Sequence, residues 1–111
     1  MSAYENGLTK AILTYLAYKG VFAWRQNNGG VYDPTRKSYR ANSSMAGVPD
    51  IIGITRTGAF IGIEVKSKSG RQSDHQIEFE KKCKDNNGIY ILARDMDEFI
   101  DKYEKIIKEV V

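Results

Sequence analysis

Residues 50–66 read "DIIGITRTGAFIGIEVK", two apolar runs joined by "RTG", a pattern that constrains the fold more than any other stretch of the chain. Short apolar runs around a glycine-bearing turn signal a β-hairpin. Because both runs are apolar on successive residues, the pattern predicts a hairpin covered on both faces and central in its sheet. Asp50, Glu64 and Lys66 do not suit such a core. A three-residue turn at Arg56-Thr57-Gly58 pairs Thr55 with Ala59 and sets Asp50 opposite Glu64, with Gly58 supplying the left-handed residue. A two- or four-residue loop would instead set Asp50 opposite Val65 and put the two acids on different faces. Lys66 follows Glu64 by two residues and shares its face.

Around the hairpin the periodicity alternates. Residues 4–19 place Leu8, Ile12, Tyr15 and Leu16 at helical spacing before Gly20, and Glu5 falls on the same stripe. "VFAWRQ", 21–26, has strand propensity and runs into the turn signal "NNGG". From Gly29 to Met45 the chain reads as one long basic loop, with Arg36, Lys37 and Arg40 among Tyr32 and Tyr39. After the hairpin, Ser73 and Gln76 make a capping box for a helix that ends at Asn87-Gly88. "IYILA", 89–93, is a buried strand. From Asp95 a last helix carries Met96, Phe99, Ile100, Tyr103, Ile106, Ile107 and Val110 as an apolar stripe, either core or a dimer face. The expectation is an α/β domain over residues 1–111, with a small central mixed sheet flanked by helices.

Composition narrows the setting. Seventeen Lys and Arg against 14 Asp and Glu give a net charge of +3, an excess that suits an anionic partner. Cys83 is the single cysteine, so an internal disulfide has no second thiol and a cysteine-based zinc site has no set of ligands. No apolar run approaches the roughly 20 residues of a membrane span, and "MSAYENGLTK" lacks the apolar stretch of a signal peptide. A cytoplasmic protein with no membrane partner is expected.

Two carboxylates facing each other across a hairpin, roughly 5 Å apart, need compensation. A hard divalent cation such as Mg²⁺ fits, with Asp50, Glu64 and the Val65 backbone carbonyl as its protein ligands. Lys66 then stands where it can orient or activate a water, and the implied chemistry is metal-dependent phosphodiester hydrolysis. The Arg36, Lys37 and Arg40 cluster suits a phosphate-contacting arm, and Lys68 and Arg71 join it as DNA-binding residues beside the hairpin. His75 reads as a surface residue and Cys83 as a small packed one.

Pro49-Asp50 on one strand and Glu64-Val65-Lys66 on the next match the PD-(D/E)xK nuclease signature. The glycine in "AGVPD", the glutamate-bearing first helix, the "NNGG" turn and Gln76 more narrowly resemble the VRR-NUC branch, in its small stand-alone form from phages and bacteria. The namesake VRR element is replaced by "EVKSKSG". The resemblance implies a restriction-endonuclease-like core and a DNA endonuclease dependent on Mg²⁺ or Mn²⁺. It also implies a homodimer acting on branched DNA such as Holliday junctions, inside a bacterial or phage-infected cell. By position it assigns Asp50 and Glu64 as metal ligands, Lys66 as the catalytic lysine, Gln76 as a site residue and Glu5 as an accessory acid. Two other readings stay open: a non-catalytic nucleic-acid-binding module on the same fold, and a nuclease subunit active only within a larger recombination or replication complex.

Overall fold

In a computed structural model the chain is described over residues 1–26, 31–35, 37–40 and 45–110. Helix α1, Ala3–Tyr18, opens on a capping box the periodicity did not reveal. The Ser2 hydroxyl accepts the Glu5 N–H at 3.1 Å, and the Glu5 carboxylate accepts the Ser2 N–H at 3.1 Å. Two of the N–H groups that a helix leaves unpaired are thereby satisfied. Leu8, Ile12 and Leu16 are buried as their spacing predicts. Gly20, at φ +80°, turns the chain into strand β1, Phe22–Arg25.

The segment read as one long loop is not uniform. It contains two short antiparallel strands, β2 (Val31–Asp33) and β3 (Ser38–Arg40), paired as their own ribbon. Strands of three residues are too brief for a period of two to show, and the turn between them places Lys37 at φ +51°.

The hairpin forms as β4, Ile51–Ile54, and β5, Phe60–Val65, followed by α2 (Asp74–Asp85), β6 (Ile89–Ala93) and α3 (Met96–Val110). The sheet order is β1-β4-β5-β6, antiparallel except for the parallel β5–β6 pair, so the hairpin is central in a mixed sheet as expected. Helices α1 and α3 cover one face over Ile51, Ile61, Ile63 and Ile91, with Phe99 of α3 packed among them, each essentially inaccessible. Burying a side chain of that size contributes about 1.5–3 kcal/mol. The described part of the α3 stripe is core: Phe99 and Tyr103 are buried and meet Tyr15 edge-on, with Ile100, Ile106 and Ile107 packed against the same core, while the side chain of Val110 lies outside the described residues.

On the opposite face α2 lies over β5 and β6, where the Phe79 ring reaches Phe60 and Tyr90 at 6.3 and 6.5 Å between centroids. Coverage of both faces therefore holds for β5 but not for β4, whose Ile54 stays 44% exposed because α2 stops short of it. Among the described residues no helix is long and apolar enough to cross a membrane.

Candidate active site

The hairpin register decides whether the acids meet. Ile51 pairs with Ile63 and Ile54 with Phe60. The Thr55 N–H bonds the Ala59 carbonyl and the Gly58 N–H bonds the Thr55 carbonyl, each at 2.9 Å, with Gly58 at φ +87°. This is the three-residue turn, and continuing the ladder by one step sets Asp50 opposite Glu64.

Two glycines hold Asp50 there. A Cβ on Gly62 would lie 2.8 Å from Pro49 Cγ, so the bare backbone of β5 is the seat on which buried Pro49 packs. Gly47, at φ +80°, lets the preceding loop press against the first turn of α2, where a Cβ would lie 2.2 Å from the His75 carbonyl oxygen. Only glycine combines that φ with that approach. One Asp50 oxygen, Oδ2, then accepts the Val65 N–H at 2.9 Å.

Glu64 is 2% exposed and its Oε2 has no hydrogen-bond partner. Burial pushes its pKa up to about 9, helped by the hydrogen bond and negative charge of Asp50 and, more weakly, by Glu5, while Lys66 opposes the rise. An orphaned, buried carboxylate oxygen beside a second carboxylate is poorly compensated without a cation. Among the described residues no three His, Cys, Asp or Glu side chains converge. The two carboxylates offer oxygen donors only, which fit a hard cation such as Mg²⁺ or Mn²⁺ better than a softer one.

Lys66 is half-buried, and its backbone N–H continues the parallel ladder by bonding the Ala93 carbonyl at 3.0 Å. Glu5, half-buried at the start of α1, is acidified chiefly by the Ser2 hydrogen bonds, with a smaller pull from Lys66. It is thus within electrostatic reach of both Lys66 and Glu64. Gln76 is drawn into the capping box of α2, its side-chain oxygen accepting the Ser73 N–H at 2.8 Å. That oxygen serves the helix rather than the acids.

Of the residues read as DNA-binding, Lys37, Lys68 and Arg71 are exposed, and the last two follow directly on the Lys66 strand end. Arg94 braces that segment by donating to the Gly70 carbonyl at 3.0 Å. Arg36 lies outside the described residues, as does the side chain of Arg40. His75 is exposed, and the half-buried Cys83 thiol donates to the Ile89 carbonyl at 3.6 Å.

Sequence reasoning missed Gln26, whose N–H donates to the Asp50 carbonyl at 2.7 Å and carries the acid row onto edge strand β1. It also missed a polar chain linking β6 to α2 within electrostatic reach of Glu64. Buried Tyr90 bonds Gln72 at 3.2 Å, and Gln72 bonds Glu80 at 3.0 Å. Burial raises the Tyr90 pKa, and the charge of Glu64 adds to the rise. Neither group stands in a motif, so only register reveals them.

The family model of the VRR-NUC domain matches residues 32–96, more than half of the chain. A solved structure described as a VRR-NUC domain superposes with a TM-score of 0.68 at 15% identity, covering 93% of this chain and 97% of that one, a likeness of fold. A comparison with curated proteins finds no match. The hairpin that joins Asp50 to Glu64 and Lys66 thus stands in a PD-(D/E)xK-like nuclease fold, and the chain belongs to the VRR-NUC domain family.

Proposed function

We propose that the protein is a divalent-cation-dependent DNA endonuclease that hydrolyses phosphodiester bonds in branched DNA such as Holliday junctions, as a homodimer. The observation that carries the catalytic part is Glu64, buried with an unpartnered oxygen beside Asp50, with Lys66 next on the same face. Asp50, Glu64 and the Val65 carbonyl would hold Mg²⁺, with Mn²⁺ as a substitute. Bound there, the cation supplies a water of lowered pKa and offsets charge developing on the phosphate.

The rest falls to the chain's own groups. Lys66 orients the attacking water and stabilises negative charge as that oxygen bonds to phosphorus and the bond to the leaving sugar oxygen breaks. The proton released from the water ends on the departing alkoxide, so one water is consumed for each bond cut. Glu5, within electrostatic reach of Lys66, would help to place its side chain beside the acids. Lys68 and Arg71 hold flanking phosphates. The branched substrate and the homodimer have the family resemblance as their support.

The test is cleavage of a labelled four-way junction by wild type, Asp50→Ala and Glu64→Gln, with and without Mg²⁺. Cutting by wild type alone, and only with the cation, is expected. Binding without cutting in either Mg²⁺ or Mn²⁺ would make the protein a binding module. Cutting only after a partner protein is added would make it a subunit of a larger machine.

A further inference from the structure

The face of the sheet that carries the acids is only half covered. Alternation along the strands puts Ile52 and Ile54 of β4, and Asp50 just before it, on one face with Phe60, Gly62 and Glu64 of β5. Direct pairing adds Phe22, opposite Ile54, and Trp24, opposite Ile52. Over β5 and β6 this face is closed by Phe79 of α2. Over β1 and β4 it is open: Phe22 is 69% exposed, Ile54 44% and Trp24 39%. The Phe22 and Trp24 rings lean on each other at 5.3 Å and 50°.

The patch is continuous with the acid row. Gln26 stands on that row, its N–H bonded to the Asp50 carbonyl, and its side-chain oxygen accepts the Trp24 indole N–H at 3.4 Å. Trp24 is two residues away, about 7 Å along the strand, and Phe22 another 7 Å or so beyond. That step is comparable to the spacing of nucleotides in a stretched single strand. A strand whose phosphate sits at Asp50 and Glu64 would carry its next bases over these rings, and exposed Lys68 and Arg71 follow the Glu64–Lys66 segment with positive charge.

We infer that Trp24, backed by Phe22, is a stacking platform for unpaired nucleobases next to the scissile phosphate, so that the enzyme favours DNA with a single-stranded segment at the cut. The inference rests on the nuclease reading above for where the phosphate lies. Paired bases present edges rather than faces to a protein surface, whereas an unpaired base of any identity offers a π-face. The platform therefore selects for strandedness and not for sequence.

Trp24 is the single tryptophan of the chain, so its emission reports the contact directly. An oligothymidylate and a blunt duplex of equal length are titrated into the full protein in EDTA, which prevents cutting. Affinity is followed in parallel by anisotropy of labelled strands. The single strand is expected to quench the emission in step with binding, and the duplex to leave it nearly unchanged. Trp24→Ala should weaken single-strand binding by about five- to a hundredfold, with Trp24→Phe recovering most of it and unchanged melting curves showing that both variants fold.

No oligothymidylate binding, binding without quenching, equal quenching by duplex, or full affinity in Trp24→Ala would each overturn the inference. Emission that changes with protein concentration alone would also overturn it, since a second copy would then cover the patch. Junction cleavage by wild type in Mg²⁺ is scored separately. Cleavage without quenching sinks the platform and spares the nuclease; quenching without cleavage does the reverse.

Discussion

Glu64 shows how a single side chain can link folding to pH. In the absence of a divalent cation its carboxyl keeps a proton up to about 9 in the fold, against 4.5 as an ordinary carboxyl. The folded state therefore binds the extra proton across that window. Stability is fullest below 4.5 and falls as pH climbs toward 9. Thermal melts in EDTA should show this decline for wild type and a flatter profile for Glu64→Gln; identical slopes would assign the decline to other groups. Mg²⁺ should raise the wild-type melting temperature at the alkaline end and do little for the Gln variant. Lys66→Ala is expected to keep the Mg²⁺ response while cleavage slows by about two to four orders of magnitude, and unchanged turnover would reduce the lysine to a structural part. Asp50, Glu64 and Lys66 were legible as a set because alternation and turn length alone bring them together. The competing duties of Glu5 and Gln76 as helix caps were only half legible: the Ser73 box shows in the sequence, whereas the box at Ser2 lies ahead of the apolar stripe that begins at Leu8 and leaves no periodic mark.

At the level of elements, the site depends on how tightly neighbours approach β5. Gly62→Ala would drive a methyl to 2.8 Å from Pro49, which must move and take Asp50 with it. Overpacking of this kind costs about 1–3 kcal/mol, so chemical denaturation should show a loss in that range together with impaired cleavage. A fully active Gly62→Ala enzyme would mean that Pro49 does not position the acid. Elements with a strong period were readable in advance: the α1 and α3 stripes, the hairpin and the β6 run all lie where their apolar residues predict. The β2–β3 ribbon was not, because its three-residue strands offer too few positions for a pattern. Nor was the open half of β4, since an apolar run looks the same whether or not a helix reaches over it.

Taken whole, the molecule carries a mild positive charge, a net +3. Reversing Lys68 and Arg71 to glutamate should weaken DNA binding and reduce the slope of log affinity against log salt by about two; an unaltered slope would remove them from the contact surface. The α3 stripe is spent on the internal core, so it offers no ready dimer face, and light scattering over a range of concentrations tests the proposed homodimer directly. A single-chain mass at every concentration would refute it. The Thr55–Ala59 turn lies five ladder steps from the acids, yet it acts on them as an arithmetic constraint. Parity is what it transmits. Adding one residue to the turn would swap inward for outward along all of β5, while adding two would restore the faces but leave the carboxylates offset along the strands. Apart from Gly58, whose φ of +87° favours glycine, the composition of "RTG" is therefore free to drift as long as the register it sets does not, so a peripheral loop with no part in the chemistry still governs whether the acids meet.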